Sequence, residues 1–299
     1  MSNLVSQAKL RVERARSRWA AVDIAIATYK RFSADEGGVR AAAFTYYIFF
    51  SIFPLLLFAA SALGFLTFGN PELKQDLIRE GLKAVPLLRD ALSPDGLRMI
   101  EEQRGTLALT ALVMALYAGS GAVVALEHSL NKMYRVEDEP GWLNRRLRSL
   151  KWLGVLGLAT LASLAFSALA AYTQQIVGDG SPIVSALAIA GGLAISLMIF
   201  ATAFRFLPAK KLSWSEVLPG AALAAAAFEA LKFVGSAYLA QGEAARNDTF
   251  GTFAAAAALL VSAYLIAQLT LMAAEFNAVL AERRMTRQSS MAELEKEAS

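Results

Sequence analysis

The sequence predicts an all-α integral membrane protein with six transmembrane helices and both termini in the cytoplasm. Three observations lead to this prediction. The 299-residue chain is 56% hydrophobic and 18% charged, six apolar stretches of at least 22 residues follow one another, and lysine and arginine concentrate in alternate connecting segments. Soluble domains usually carry about 25% charged residues, and a helix needs roughly 20 apolar residues to cross a bilayer. The composition therefore indicates lipid as the surrounding medium.

The six predicted spans have apolar residues on every face, unlike the single apolar stripe of a water-facing helix. Alanine and leucine dominate them, and the alternating pattern of a membrane β-strand is missing. The spans are predicted at Ala41–Phe68, Thr106–Glu127, Trp152–Val177, Ile183–Leu207, Val217–Ala240 and Thr252–Asn277. Runs of small residues, such as Ala221–Ala227 and the glycines at 119, 121, 191 and 192, predict close helix contacts.

Residues 1–40 are predicted to be a cytoplasmic segment with a helix lying in the membrane interface. Trp19, Val22, Ile26 and Tyr29 recur on one helical face between basic residues, which is typical of such a helix. No cleavable signal peptide is expected, because forty mainly polar residues precede the first apolar stretch. The main domain is predicted over residues 41–280, followed by a polar cytoplasmic tail over residues 281–299 that is a solvated helix or disordered.

Orientation follows from the basic residues outside the spans. The N-terminal segment, the second and fourth connections and the tail hold 21 lysines and arginines, against seven on the opposite side. The positive-inside rule places the richer side in the cytoplasm. The tryptophans, at positions 19, 142, 152 and 214, fall on the same side near span ends, where their rings favour the headgroup layer. This placement also accounts for the net charge of +4 without nucleic-acid binding.

The extracytoplasmic connection between spans one and two, residues 69–105, is predicted to form a helical hairpin broken near Pro86 and Pro94. Its apolar positions alternate with charged ones, so it is expected to cap the outer face of the helix bundle. A gate or a partner-binding surface are alternatives that the sequence leaves open.

Glu229 and Lys232 are the leading candidates for a functional site. They lie three residues apart on one face of predicted span five, and Glu229 falls near the middle of the bilayer. An ionisable group at that depth costs about 2.5 kcal/mol or more unless it is paired or hydrated. The pair therefore faces protein or trapped water. A transport pathway and a structural pair that also binds a neighbouring helix are equally favoured alternatives.

Two further polar stripes are candidates for the same pathway, and we expect them to converge on one cleft between spans one, five and six. Pro54 is expected to kink span one and to free a backbone carbonyl. The stripes consist of Tyr264, Gln268 and Glu275 on span six and of Tyr47, Ser51 and Pro54 on span one. Glu275, and Glu127 at the end of span two, lie near an interface, so pairing with basic segments is favoured over a proton relay.

Catalytic chemistry has little support. The chain has no cysteine and a single histidine, His128, so thiolate metal sites, disulfides and clustered histidine ligands are excluded. No phosphate-binding Walker loop is present. Ser120 lies between two glycines as in a nucleophile elbow, but inside an apolar span rather than at a strand-to-helix turn. We predict no enzyme activity, no metal and no cofactor.

Several motifs resemble the YihY/virulence factor BrkB family over roughly residues 30–280. They are Ala42-Ala43-Phe44-Thr45-Tyr46-Tyr47, Phe50-Ser51-Ile52-Phe53-Pro54-Leu55, Leu130-Asn131-Lys132-Met133-Tyr134-Arg135-Val136, Phe228-Glu229-Ala230-Leu231-Lys232, Phe250-Gly251-Thr252 and Ala274-Glu275-Phe276-Asn277. The resemblance implies a six-span protein of the bacterial inner membrane. It also implies a link to serum resistance, and to movement of lipid A precursors across that membrane. A ribonuclease name attached to the family is a misassignment, and the residues offer no two-metal site.

The function predicted from these residues is transport of a lipid or lipid-linked anion between leaflets. Lys232 would attract a phosphate or carboxylate and Glu229 would balance it, while Gln268, Tyr47 and Ser51 supply neutral hydrogen bonds. Membrane lipids are the expected partners. The alternative is a non-transporting envelope scaffold or virulence factor that acts through the external loop and the basic segments. A membrane-embedded enzyme is less favoured, and the oligomeric state is not specified by the sequence.

Overall fold

The computed structural model describes residues 20–66, 104–138, 140–155, 158 and 182–298, and the regular secondary structure in these ranges is helical throughout. The all-α prediction is confirmed for this part of the chain. The helices are α1 (Ala20–Ala34), α2 (Gly37–Leu66), α3 (Arg104–Met133), α4 (residues 142–155), α5 (Pro182–Phe206) and α6 (Trp214–Ala298).

Three helical stretches among the described residues are long and apolar enough to cross a membrane: Leu109–Met133, Ile189–Phe206 and Ala256–Thr286. They coincide with predicted spans two, four and six. Predicted span one is helical over its described residues, 41–66, which belong to α2, and predicted span five lies within α6 and is helical. Most of predicted span three, residues 69–103 of the predicted external loop 69–105, and Trp19 lie outside the described residues.

Helix α6 reverses direction along its length. The Gly220 N–H donates to Asn277 Oδ1 at 2.6 Å, and Arg284 Nη1 donates to the Ser215 carbonyl at 3.1 Å. A straight helix would hold residues 57 positions apart about 85 Å from each other. The chain therefore turns back between Gly220 and Ala273, so that a first arm (residues 214–232) runs antiparallel to a second arm (residues 256–289). This arrangement agrees with two antiparallel spans in this part of the sequence.

Small residues allow the close helix contacts that the sequence predicts. A Cβ on Gly121 of α3 would lie 2.7 Å from the Tyr47 ring of α2, and one on Gly119 would lie 3.1 Å from the Leu153 side chain. A Cβ on Gly220 would collide with the Ala273 carbonyl oxygen of the second arm. At Gly220 any side chain would push the two arms apart, because the obstructing atom belongs to the backbone, whereas at Gly119 and Gly121 the neighbouring side chain would have to move.

The most tightly packed core lies where α3, α5 and the second arm end. Its fully buried side chains include Leu130, Met133, Phe204, Leu207 and Leu271. Nearer the start of α3 and α5, large apolar side chains such as Leu109, Tyr117, Leu187 and Ile189 are exposed. An apolar surface of this kind is unfavourable in water and is typical of helices that face lipid.

Four segments meet at this end of the molecule. Arg31 Nη2 donates to the Met133 carbonyl at 3.1 Å, and the Ala209 N–H donates to Asn131 Oδ1 at 2.8 Å. We call the region formed by residues 31–35, 131–136, 207–216 and 275–284 the ionic end. It unites segments that the sequence assigns to one side of the membrane.

Two turns at the ionic end have local sequence causes. Ser213 and Glu216 form a capping box at the start of α6, since the Ser213 N–H donates to Glu216 Oε2 at 2.7 Å. Helix α3 ends in a Schellman motif, in which the Val136 N–H bonds the Asn131 carbonyl at 2.9 Å. Arg135 occupies the left-handed position of this motif, with a φ of 54°, where glycine is the usual residue.

Candidate functional site

The predicted pair on the first arm forms an ion pair and also contacts α5. Lys232 Nζ lies 2.7 Å from Glu229 Oε1, and Ser196 Oγ of α5 donates to the same carboxylate oxygen at 2.7 Å. Gly192, one helical turn before Ser196, also lies beside the carboxylate, since a Cβ there would be in van der Waals contact with Glu229 Oε2 at 3.6 Å. The Glu229 side chain is thus held by its own helix and by the neighbouring one.

The two members of this pair differ in exposure. The Lys232 side chain is 48% exposed and that of Glu229 is 22% exposed. The Lys232 ammonium also lies 5.2 Å from the centre of the Phe228 ring, which is a favourable cation–π distance. An ammonium group has three N–H donors, so Lys232 retains the capacity to bind a second anionic group while it pairs with Glu229.

The candidate residues on α2 contact α3 or their own helix. The Tyr47 ring packs against Gly121, and Ser51 Oγ donates to the Ile48 carbonyl at 2.7 Å. Pro54 lies inside α2 without ending it. Because proline has no N–H, the Phe50 carbonyl loses its usual intrahelical donor. Tyr47 and Ser51 therefore lie near the α2–α3 interface.

The second arm brings Tyr264 and Gln268 together, since Gln268 Nε2 donates to the Tyr264 hydroxyl at 2.8 Å. That hydroxyl would lie 3.7 Å from a Cβ on Gly38, at the start of α2. The contacts described for the candidate residues thus join Glu229 with Lys232, Tyr264 with Gln268, and Tyr47 with α3. They do not join the three groups to one another.

Glu275, the remaining candidate, belongs to the ionic end. Its side chain is fully buried, and Arg31 Nε of α1 lies 3.0 Å from its Oε2. Arg31 also pairs with Glu282 at 2.5 Å through Nη1. Glu127 is likewise fully buried, and Arg148 Nη1 of α4 lies 3.6 Å from its Oε1. Both glutamates therefore pair with arginines from segments outside the predicted spans, the pairing that the sequence favours over a proton relay.

Asp35 is a second buried carboxylate at the ionic end, and it accepts a hydrogen bond from Arg135 Nη1 at 2.7 Å. Burial acts to raise the pKa of Asp35, but the hydrogen bond from Arg135 and the charges of Arg135 and Arg31 outweigh it. The pKa of Asp35 is therefore held below its ordinary value. This carboxylate stabilises the fold in its ionised form.

Sequence reasoning missed Arg31 and Asp35 as members of a buried network, because both lie in a segment with the pattern of an interfacial helix. It also gave no role to Asn277. This side chain accepts from the Gly220 N–H and donates to the Val217 carbonyl at 3.0 Å, so it joins the two arms of α6. The only sequence signal was its position in the motif Ala274-Glu275-Phe276-Asn277.

No group of three or more histidine, aspartate or glutamate side chains is arranged to hold a metal ion in the described ranges. The Ser120 hydroxyl donates to the Tyr117 carbonyl of its own helix at 2.9 Å and the residue is fully buried. It therefore has the setting of an ordinary intrahelical serine rather than that of an exposed nucleophile.

Comparison with known proteins gives a consistent set of similarities. The sequence model of the virulence factor BrkB family matches residues 28–298. The chain is 28% identical over 261 residues to the protein Dda3937_02003 of Dickeya dadantii (strain 3937), covering 82% of this chain and 79% of the relative. It is 27% identical over 269 residues to the inner membrane protein YhjD of Escherichia coli (strain K12), covering 82% of this chain and 77% of that relative. No solved structure matches the chain significantly.

Proposed function

Because the chain belongs to the virulence factor BrkB family, we propose that it moves a lipid or lipid-linked anion between the two leaflets of the bacterial inner membrane. The observation that carries the proposal is the half-exposed ammonium of Lys232 beside a carboxylate held by Ser196. An ammonium group of this exposure on an apolar helix is costly against hydrocarbon. A hydrated crevice or an anionic ligand would remove that cost.

The proposed mechanism assigns different roles to the two charges. Glu229 is held by Ser196, so it keeps the ammonium of Lys232 in place while no substrate is present. An anionic headgroup of the substrate then displaces the Glu229 carboxylate from Lys232. The carboxylate pairs with Lys232 again when the substrate leaves. The weak binding that this competition produces suits transport, because a substrate held too tightly would not be released.

We propose six spans with the ionic end in the cytoplasm. The positive-inside count supports this orientation. The contacts of Arg31 with Met133 and Glu282, and of Arg284 with Ser215, support placing all four ionic-end segments on one side of the membrane. Tyr264, Gln268, Tyr47 and Ser51 remain proposed neutral contacts along the route of the substrate.

The test is transport by purified protein in proteoliposomes that contain a fluorescent anionic phospholipid. Lys232→Met is expected to lower the initial rate at least ten-fold, because it removes the ammonium group that is proposed to attract the headgroup. Lys132→Met is the matched control, since Lys132 is exposed at the end of α3, away from the pair. Wild-type transport by folded Lys232→Met protein would refute the proposed role.

The competing function is a non-transporting scaffold of the bacterial envelope. The observation that favours it is the link between Ser196, Glu229 and Lys232, which joins α5 to the first arm and satisfies the carboxylate within the protein. A scaffold predicts that Glu229→Gln combined with Lys232→Met leaves serum resistance intact, whereas deleting residues 72–103 abolishes it. Transport predicts that the double variant is inactive.

A further inference from the structure

A cationic and aromatic cluster lies where α5 ends and α6 begins, and it shares no residue with the Glu229–Lys232 pair. The Arg205 guanidinium carbon lies 4.2 Å from the centre of the Trp214 ring and 5.3 Å from that of Phe206. Trp152 of α4 stacks on Phe206, with ring centres 5.6 Å apart. We call Arg205, Phe206, Trp214 and Trp152 the turn cluster.

The Arg205 guanidinium has one buried nitrogen, Nη1, without an acceptor among the described residues. By contrast, Arg31, Arg135 and Arg148 each lie within 3.6 Å of a carboxylate oxygen. A buried N–H group without an acceptor is unfavourable, and most of all when it carries charge. Stacking on two rings holds the guanidinium plane but offers its N–H groups no oxygen.

The surrounding turn is rigid, and its other charges point outward. Leu207 and Leu212 are buried, the Ala209 N–H is bonded to Asn131, and Arg148 Nη2 donates to the Leu207 carbonyl at 3.1 Å. Lys210 and Lys211 are exposed on the same turn. The nearby carboxylate of Glu216 is engaged by the N–H and hydroxyl of Ser213 in the capping box.

We propose that the turn cluster binds the phosphate group of an anionic phospholipid, with Arg205 supplying the N–H donors and Lys210 and Lys211 adding attraction. A phosphodiester oxygen is the acceptor that a guanidinium group matches best. Arg205 and Phe206 are the last two residues of the candidate span Ile189–Phe206, so the cluster lies at the boundary between hydrocarbon and headgroups. Phe206 is 42% exposed and Trp214 is 46% exposed, which provides apolar surface for the acyl chains.

The test uses the full chain in nanodiscs of phosphatidylcholine, alone or mixed in equal amounts with phosphatidylglycerol. Native mass spectrometry counts the phosphatidylglycerol molecules retained, and thermal unfolding measures the stabilisation. We expect Arg205→Gln to weaken retention about ten-fold, the loss typical of a charged hydrogen bond. The matched control is Arg146→Gln. Arg146 also stacks on an aromatic ring, 4.4 Å from Tyr117, but donates to the Tyr117 carbonyl at 2.8 Å and so has an acceptor.

The proposal would be overturned if Arg205→Gln retained as much phosphatidylglycerol as wild type, or if Arg146→Gln lost as much of it as Arg205→Gln. It would also be overturned if inorganic phosphate, added to protein in pure phosphatidylcholine, stabilised the protein as much as phosphatidylglycerol does. The last result would assign the cluster to free phosphate instead of lipid. If Arg205→Gln does not fold, Arg205→Lys keeps the charge but loses the planar donor geometry. Wild-type retention by Arg205→Lys would then also overturn the proposal. Lys232→Met is expected to retain the lipid, so this site and the transport function are tested separately.

Discussion

Arg135 shows how a single residue at the ionic end balances backbone strain against an ion pair. Its φ of 54° is the left-handed conformation that ends α3, where glycine avoids the steric cost of a Cβ. The side chain compensates by donating to the buried carboxylate of Asp35 at 2.7 Å. Arginine is therefore used at a position where backbone geometry alone favours glycine.

This balance predicts different effects for two substitutions. Arg135→Ala loses the ion pair and keeps the strained backbone, whereas Arg135→Gly loses the ion pair but relieves the strain. We expect Arg135→Ala to be less stable than Arg135→Gly by about 1 kcal/mol, the usual cost of a non-glycine residue in this conformation. Thermal unfolding in detergent at neutral pH measures the difference. Equal stability of the two variants would contradict the argument.

The ion pair of Arg135 with Asp35 also predicts that the stability of the protein depends on pH. Because the pKa of Asp35 in the folded protein lies below its ordinary value, its stabilising contribution is complete above about pH 4 and is lost as the pH falls through the folded-state pKa. Arg135 contributes to this lowering. The stability difference between wild type and Arg135→Gly is therefore expected to be largest near neutral pH and to shrink below about pH 4. A difference that is constant down to pH 3 would exclude this role of Asp35.

At the scale of elements, α1 is joined to the second arm of α6 by three ion pairs of unequal burial, one of which is the pair of Arg31 with Glu282. Arg31 is 16% exposed and pairs with the fully buried Glu275, whereas Arg283 pairs with Asp23 at a more exposed position. Arg31 also donates to the Met133 carbonyl, so three helices depend on one side chain. The interfacial helix predicted from the sequence is thus also a structural part of the bundle.

Arg31→Gln is expected to destabilise the protein by about 3 kcal/mol, because it leaves Glu275 buried without a cation. Arg283→Gln is the control and is expected to cost less than about 1 kcal/mol, since exposed ion pairs contribute little. Combining Arg31→Gln with Glu275→Gln should recover part of the loss, because the uncompensated carboxylate is removed. Thermal unfolding of the four proteins tests this order. A double variant no more stable than Arg31→Gln would contradict it.

The boundaries of the elements show where sequence reasoning ends. Apolar length located the helices of spans two, four and six, but span two was predicted to end at Glu127, whereas α3 continues to Met133. The extra turns contain Asn131, which is polar in sequence but buried against the Ala209 N–H. Hydropathy treats such a residue as the end of a helix. Only the tertiary partner explains why the helix continues.

For the candidate site, the sequence likewise predicted the contact within one helix but not the contact between helices. The spacing of Glu229 and Lys232 on one helix was sufficient to predict their ion pair. Ser196 was not predictable as the third member, because a serine in an apolar span is common and its partner lies 33 residues away. Local spacing identifies contacts within a helix, whereas contacts between helices depend on a packing arrangement that one sequence does not specify.

For the whole molecule, the arrangement of the ionic end restricts the possible membrane topologies. The connection between α1 and α2, the end of α3, the turn between α5 and α6 and the end of the second arm are joined by direct contacts. Charged segments that contact one another directly lie on the same side of a bilayer, because separating them would break these contacts and place the charges in hydrocarbon. The proposed topology meets this requirement, because it connects any two of these segments by an even number of spans.

This restriction can be tested because the chain has no cysteine, so that single cysteines report position without a background. Ser33→Cys, Asp138→Cys and Ser289→Cys occupy exposed positions near three of the four segments. In intact spheroplasts we expect none of them to react with a membrane-impermeant maleimide, and all to react in inverted vesicles. Ser93→Cys in the external loop is expected to give the reverse result. Labelling of residue 289 from outside, with residue 33 protected, would require an odd number of spans and would contradict both the charge distribution and the ionic end.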